Sequence, residues 1–143
     1  MSLNVDLLRA SFQAVTPRAE ELMETFYSLL FSRYPAVVPL FSGVDMKQQR
    51  GKLLASLGLV VKNCDQPANL VGPLRDMGAR HVAYGTRPEH YAAVGECLLA
   101  ALAATAGPLW NAELEQAWSD AYQVVAAQMV EGARLTLLTQ GGQ

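Results

Sequence analysis

The chain has 143 residues, of which 51% are hydrophobic, and its 11 basic and 13 acidic residues give a formal net charge of −2. A chain of this length and hydrophobic content predicts one domain, 1–143, that buries about 68–70% of the surface its unfolded form exposes. The charges are scattered and form no basic stripe of the kind that neutralises phosphates, so we do not expect nucleic acid as a partner.

The two cysteines and the chain's apolar segments bear on its location. Cys64 and Cys97 have no CxxC spacing and do not cluster with histidines, which predicts two reduced thiols in the cytoplasm. The N-terminal segment MSLNVDLLRASF lacks the basic and apolar regions of a signal peptide. The longest uncharged stretch, 97–112, is interrupted at Gly107 and Pro108 and is shorter than the roughly 20 residues of a membrane span. We therefore expect a soluble protein without membrane contact.

The chain reads as a succession of helices with no convincing strand. Proline suits the first position of a helix, and it disfavours helix at the residue before it. Prolines at 17 and 35 therefore mark one helix start and one helix end. The predicted helical segments are 4–15, 17–34, 35–40, 46–63, 67–85, 86 to a break at 107–108, and a long last helix from 111. We expect the tail, 139–143, to fray.

Two helix starts carry a capping-box spacing, in which a polar side chain is followed three residues later by Glu or Gln. Asp45 and Gln48 have this spacing before the helix that begins near Met46. Thr86 and Glu89 have it before the next helix but one. Both pairs therefore predict a helix N-terminus.

One histidine lies in the middle of a hydrophobic helical stripe. Leu74, Met77, Gly78 and His81 have the i, i+3, i+4, i+7 spacing of a face that packs on a core. Taken alone, such a histidine is more often a core residue with its hydrogen bonds satisfied than a metal ligand.

Three upstream residues occupy comparable inward positions: Tyr27, Phe41 and Gln49. An all-helical protein that turns an imidazole inward from one side, and a phenol and an amide from the other, has the parts of a haem pocket. Each also has a simpler interpretation. Tyr27 could be a core tyrosine bonded to a backbone carbonyl, and Gln49 could be a solvated helix residue.

Four segments, in order, resemble the globin family. FYSLLFSRYPAVVPLF resembles the B and C helices and the start of the following corner, and QQRGKLLASLG resembles the distal E helix. RHVAYGTRPEHYAAVGECLL resembles the F–G region of bacterial single-domain globins and flavohaemoglobin haem domains, and WSDAYQVVAAQM resembles the start of the last helix. The resemblance implies an all-α globin fold, a three-over-three helical sandwich around non-covalent haem b.

The resemblance also implies roles for individual residues. It makes His81 the proximal iron ligand, which leaves the sixth iron position open to a diatomic gas. On the distal side it places Tyr27, Gln49 and Leu53, of which the first two are able to donate hydrogen bonds to polarised dioxygen. The further haem contacts that it implies are Phe41, Lys52, Arg87 and Tyr91, the two basic residues being candidates to pair with the propionates.

Two alternatives stay open within this assignment. His90 competes with His81 as the ligand, but it lies in the first turn of a helix, where the field of the helix N-terminus opposes a positive charge, and we predict a surface residue. Gln48 competes with Gln49, because the preceding corner fixes the helix register only to within one residue.

The chain departs from the flavohaemoglobin pattern in two respects. The glutamate that the family places near the proximal histidine corresponds to Ala133 here, with Glu131 two residues earlier. The sequence given also contains no flavin- or nicotinamide-binding segment, so we expect a separate reductase.

These features favour reversible binding of dioxygen and other diatomics, such as carbon monoxide and nitric oxide. The alternative is nitric oxide dioxygenase activity. A haem-free helical interaction module would leave the inward polar residues unexplained.

Overall fold

The computed structural model describes the backbone of residues 3–141 and the side chains through Thr139. Three short 3-10 helices, Thr16–Arg18, Pro35–Phe41 and Gly107–Leu109, connect longer helices. The α-helices are α1 Val5–Val15, α2 Ala19–Arg33, α3 Met46–Lys62, α4 Ala68–Ala83, α5 Pro88–Ala106 and α6 Ala112–Gly141. Within 3–141 there is no strand, and the all-α prediction is confirmed.

Side-chain caps explain where two of the helices begin. Asn4 accepts a hydrogen bond from the Leu7 backbone N–H at 3.2 Å, ahead of α1. The Asp45 carboxylate accepts from the backbone N–H groups of Lys47 and Gln48 at 3.0 and 3.3 Å, ahead of α3. These bonds satisfy amides that have no partner inside the helix. Asp45 therefore fixes the start of α3, as its sequence position predicts.

The predicted cap at Thr86 is wrong. Helix α5 begins at Pro88, and its N-cap is Arg87, whose backbone is extended with φ −115° and ψ 160°. Proline forces the residue before it out of the helical region and itself suits the first helical position. Pro88 therefore decides the boundary. His90, not Glu89, returns the bond: its Nδ1 accepts from the Arg87 backbone N–H at 3.0 Å.

The last helix is longer than the sequence suggests. Residues 139–141 are helical in the structure, whereas we expected fraying from 139, and residues 142–143 lie outside the described part of the chain. The Thr139 hydroxyl donates to the Leu135 carbonyl at 3.0 Å, which supports the final turns.

The helices pack in pairs around two hydrophobic clusters. α4 lies along α6 and α2 along α5, while α1 touches α3, α5 and α6. The larger cluster includes Leu8, Leu22, Phe26 and Leu102, and a smaller one beneath α4 contains Val60, Leu70, Leu74, Tyr91 and Met129. This packing agrees with the predicted three-over-three helical sandwich.

The segment Pro88–Leu109 is long and apolar enough, by length and composition, to cross a membrane. Of its most apolar window, 44% is buried inside the structure. The central helix of a folded core has the same composition, and eight residues of α5 are buried. The apolar content of α5 is thus used in packing.

Two glycines bring the backbones of α4 and α6 into direct contact. A Cβ added at Gly78 would lie 2.6 Å from the carbonyl carbon of Met129, and one added at Gly132 would lie 2.6 Å from that of Arg75. Real Cβ atoms do not approach backbone this closely. Each glycine thus admits the backbone of the opposite helix, and together they fix how α4 sits on α6.

We predict that Gly78→Ala and Gly132→Ala each lower the free energy of unfolding by about 1–3 kcal/mol, because backbone has to move to admit the methyl group. The control is Gly51→Ala on α3, where a Cβ meets nothing within 4 Å. Alanine there should be neutral or stabilising by up to about 1 kcal/mol. Urea denaturation of the three variants measures the difference. Equal stabilities for Gly78→Ala and Gly51→Ala would contradict the close contact.

Candidate functional site

A cavity of about 880 Å³ lies between α2, α3, α4, α5 and α6. This volume falls within the range of small-molecule and cofactor sites, about 300–1,000 Å³. Most of the predicted site residues line it: Tyr27, Phe41, Gln49, Lys52, Leu53, His81 and Tyr91. Arg87 is exposed and does not line the cavity. The helices therefore bring seven of the eight predicted residues to one place.

His81 is held in one tautomer by the helix that carries it. Its Nδ1 lies 2.6 Å from the Met77 carbonyl oxygen, one turn earlier on α4. A carbonyl oxygen can only accept, so the proton belongs on Nδ1 and the lone pair on Nε2. Burial lowers the pKa of His81 and Arg80 acts in the same direction, while the bond to Met77 opposes them. The imidazole is thus neutral and offers Nε2 as a ligand.

His90 is not the surface residue that we predicted. It is half-buried and lines the same cavity, because its bond to the Arg87 N–H folds the side chain back over the start of α5. Since an N–H can only donate, Nδ1 of His90 is the acceptor and the proton of the neutral ring lies on Nε2. The two histidines therefore have opposite tautomers, and only His81 presents an unprotonated Nε2.

Tyr27 lines the same cavity and is buried among aromatic rings. The Phe26 ring lies edge-on to it with centroids 4.8 Å apart, and the Phe41 ring lies edge-on at 5.7 Å. Such pairs contribute about 0.5–1.5 kcal/mol beyond their buried area. Within 3–141 the hydrogen-bonding group that acts on its hydroxyl is the Gln49 side chain and not a backbone carbonyl, unlike that of a simple core tyrosine. Burial raises the pKa of Tyr27, so the phenol is a protonated donor.

The amide of Gln49 lies beside this phenol. This polar amide lowers the pKa of Tyr27, as does the Arg50 charge, although burial outweighs both. Gln49 is half-buried and Gln48 is exposed, while both line the cavity. The structure therefore favours Gln49 as the inner residue of the pair and leaves Gln48 at the rim.

Basic side chains border the opening of the cavity. Lys52 and Arg80 are exposed and line it. Arg80 escaped the sequence analysis, although its position directly before His81 was an available signal. Within the described residues neither Lys52 nor Arg80 belongs to an ion pair. Both cations are therefore placed to meet carboxylates of a bound molecule.

Two tyrosines, one on α5 and one on α6, also line the cavity. Tyr91 is 8% exposed, and its buried hydroxyl has no hydrogen-bond partner in the structure. Tyr122, which the sequence analysis did not single out, donates its hydroxyl to the Tyr91 carbonyl at 2.5 Å. A Cβ at Gly95 would lie 2.6 Å from the Tyr122 ring, so this glycine makes room for it. These contacts join α5 to α6, and the spacing of Tyr91 and Gly95 along α5 does not predict them.

The carboxylate expected of the flavohaemoglobin pattern is not supplied by Glu131. Glu131 accepts from Arg134, with Oε2 and Nε 2.9 Å apart, and does not line the cavity. Residue 133, which the resemblance assigns to that glutamate, is alanine. In the described structure, His81 is oriented by a neutral carbonyl.

The cavity fits a haem group on its own chemistry. Its walls are mainly apolar, one neutral imidazole offers a free Nε2, and two unpaired cations lie at the rim. The unpartnered Tyr91 hydroxyl is a further sign that the site is completed by a molecule, since buried polar groups normally have partners. Within residues 3–141 no group of three or more His, Cys, Asp or Glu side chains could hold a metal by itself.

Comparison with known proteins agrees with this fit. Residues 24–129 match the family model for Globin. The chain is 31% identical over 128 residues to a flavohaemoprotein of Deinococcus radiodurans and 27% identical over 124 residues to one of Bacillus subtilis. These matches cover 87% and 85% of the chain but 31% of each relative, so the chain spans about a third of their length. A globin-like protein of Aquifex aeolicus is 28% identical, with 88% of both chains covered.

Solved structures show the same fold. An engineered carbene transferase from a candidate nitric oxide dioxygenase of Rhodothermus marinus superposes with a TM-score of 0.86 at 30% identity, covering 96% of this chain and 95% of its own. A bacterial globin of Campylobacter jejuni superposes with a TM-score of 0.78 at 24% identity, covering 91% and 94%. The chain therefore belongs to the globin family of haem-binding proteins.

Proposed function

We propose that this globin reversibly binds dioxygen and other diatomic gases on a non-covalent haem b. The observation that carries the proposal is that one cavity is lined both by an imidazole with a free Nε2 and by a buried phenol beside the Gln49 amide. Haem iron with a single imidazole ligand supplies a sixth position at which a diatomic gas binds reversibly.

The residues of the cavity have different proposed roles. His81 would hold the iron of a bound haem through Nε2, and its bond to Met77 keeps the ring from turning. Phe41 and Leu53 give apolar walls that exclude water. Tyr27 and Gln49 donate hydrogen bonds to a polarised ligand, each contributing about 0.5–1.5 kcal/mol for a neutral acceptor and about 1.5–3 kcal/mol for a charged one.

At the edge of the pocket, we propose that Lys52 and Arg80 meet the haem carboxylates. Arg87, to which we assigned this role from the sequence, is exposed outside the cavity and is left with a long-range effect at most. We place the protein in the cytoplasm, a proposal supported by two free, buried cysteines, Cys64 and Cys97.

A second function, nitric oxide dioxygenase activity with a separate reductase, is favoured by one specific observation. The Rhodothermus protein, a candidate for this activity, matches this chain over nearly its full length. Oxidation of one nitric oxide to nitrate consumes one dioxygen and one electron. The cavity supplies the donors for dioxygen, and a reductase is needed to supply the electron.

The first prediction concerns the iron ligand. His81→Gly should lose most of its haem and recover it with added imidazole, because the cavity left by the side chain admits the free ligand. His90→Gly is the matched control and should keep its haem, since His90 presents a protonated Nε2. Haem content and optical spectra of the purified variants measure both. Normal haem retention in His81→Gly would overturn the assignment.

The second prediction concerns the distal donors. Tyr27→Phe should speed oxygen dissociation by about tenfold or more, because a hydrogen bond to a polarised ligand is lost. Gln49→Leu should have a smaller effect. Carbon monoxide is less polarised, so its dissociation rate should change much less. Stopped-flow ligand replacement measures both gases, and equal effects would mean that the pocket selects by steric access.

The third prediction separates carrier from enzyme. The oxygenated protein should oxidise about one nitric oxide per haem rapidly, because this reaction needs only access for a second small molecule. It should then remain ferric with generic reductants. Nitrate yield and the optical spectrum after mixing measure the outcome. Many turnovers per second with a reductase of the host, together with nitric oxide sensitivity of a deletion strain, would establish the dioxygenase function instead.

A further inference from the structure

We propose that Phe31, which does not line the cavity, sets the preference for oxygen over carbon monoxide by holding the Tyr27 ring in place. The inference rests on the proposed function, in that it concerns the donor to the bound gas. It assigns to a residue outside the pocket a positioning role for a residue inside it.

The Tyr27 ring is held from several sides. Phe26 and Phe41 contact it edge-on, with centroids 4.8 and 5.7 Å away, and both also line the cavity. Phe31 contacts it at 5.8 Å with the planes 42° apart. Phe31 is absent from the cavity lining, so its support reaches the ring from outside the pocket. Removing Phe31 would therefore open space for the ring without deleting a side chain that lines the cavity.

Helix geometry explains the contact. Phe31 follows Tyr27 by four residues on α2, so the two side chains share one helix face. Long side chains on a helix lean toward its N-terminus, which brings the ring at i+4 back over the ring at i. The Phe31 ring is also braced from beyond the helix, because its centroid lies 5.2 Å from that of Phe41, at 65°.

The consequence for ligand choice follows from the chemistry of the donor. A hydrogen bond weakens steeply when its angle departs from linear. A Tyr27 ring free to swing would therefore lose much of its bond to a polarised ligand such as dioxygen. It would change little for carbon monoxide, which draws less on the donor.

The test uses Phe31→Leu, which keeps an apolar side chain and removes the ring. We expect oxygen to dissociate about threefold to tenfold faster and carbon monoxide to change by less than about twofold. The infrared C–O stretch of the carbon monoxide complex should broaden or split toward that of Tyr27→Phe. Phe31→Tyr retains the ring at this partly exposed position and should keep the rates and band of the parent protein.

A double variant and a matched control complete the experiment. In a Tyr27→Phe background, Phe31→Leu should have no further effect on oxygen dissociation, because the donor is already gone. Phe12→Leu removes a partly buried phenylalanine that pairs with Trp118 at 6.3 Å and is not among the aromatic partners of Tyr27, and it should leave rates and band unchanged.

Each other outcome has one meaning. An effect of Phe31→Leu that persists without the Tyr27 hydroxyl, or that Phe12→Leu reproduces, would overturn the inference, as would unchanged rates in a folded Phe31→Leu variant. If Phe31→Leu does not fold, a Phe31→Tyr variant with the broadened band and fast oxygen release would overturn it. If Tyr27→Phe itself leaves oxygen dissociation unchanged, the proposed distal function is wrong. This measurement does not involve any Phe31 variant, so the two failures can be distinguished.

Discussion

The hydrogen bond from His81 Nδ1 to the Met77 carbonyl is the interaction on which the site depends. Because it fixes the proton on Nδ1, it decides which ring nitrogen faces the cavity as a ligand. The bond runs within one turn of α4, so the place of Nε2 in the cavity follows the position of that helix. Gly78, one residue after Met77, and Gly132 on α6 settle that position by backbone contact between the two helices. The placement of the imidazole in the cavity thus depends on two positions at which any side chain would intrude.

The hydrogen bond at Nδ1 distinguishes the two histidines as possible ligands, whereas their burial does not. His81 and His90 are both half-buried and both line the cavity. What differs is the partner of Nδ1: a carbonyl acceptor for His81 and an amide donor for His90. A helix interior offers carbonyls to a residue near its C-terminal end, and a helix start offers free amides. The position of each histidine along its helix therefore fixes its tautomer.

The helices and most of the site could be predicted from the sequence, because local signals determine them. Asp45 caps α3 by the bond its position predicts, and the stripe that carries His81 follows from helical spacing. The predicted cap at Thr86 was wrong because Pro88 keeps the residue before it out of the helical region. This restriction on the backbone outweighs the capping-box spacing.

The contacts of the site that the sequence did not predict join segments that are distant along the chain. Tyr122 reaches the Tyr91 carbonyl across two helices, and no spacing along the chain records this. Arg80 borders the cavity and Arg87 does not, although both are basic residues near the same turn. Helix α4 still runs at Arg80 and has ended before Arg87, so the two side chains leave the backbone in different directions. Only the packed structure distinguishes them.

The charge distribution of the cavity bears on the choice between carrier and enzyme. Asp45 is the acidic residue among those that line it, and its carboxylate is occupied by the first amides of α3. Glu131 is paired with Arg134 outside. A carboxylate partner would make a ligating imidazole more basic, whereas the neutral Met77 carbonyl does so less. The neutral Met77 carbonyl thus adds less to the basicity of His81 than a carboxylate would, and Tyr27 and Gln49 bring hydrogen-bond donors to the same cavity. On this distribution of charge and donors we base the proposal of a binding function.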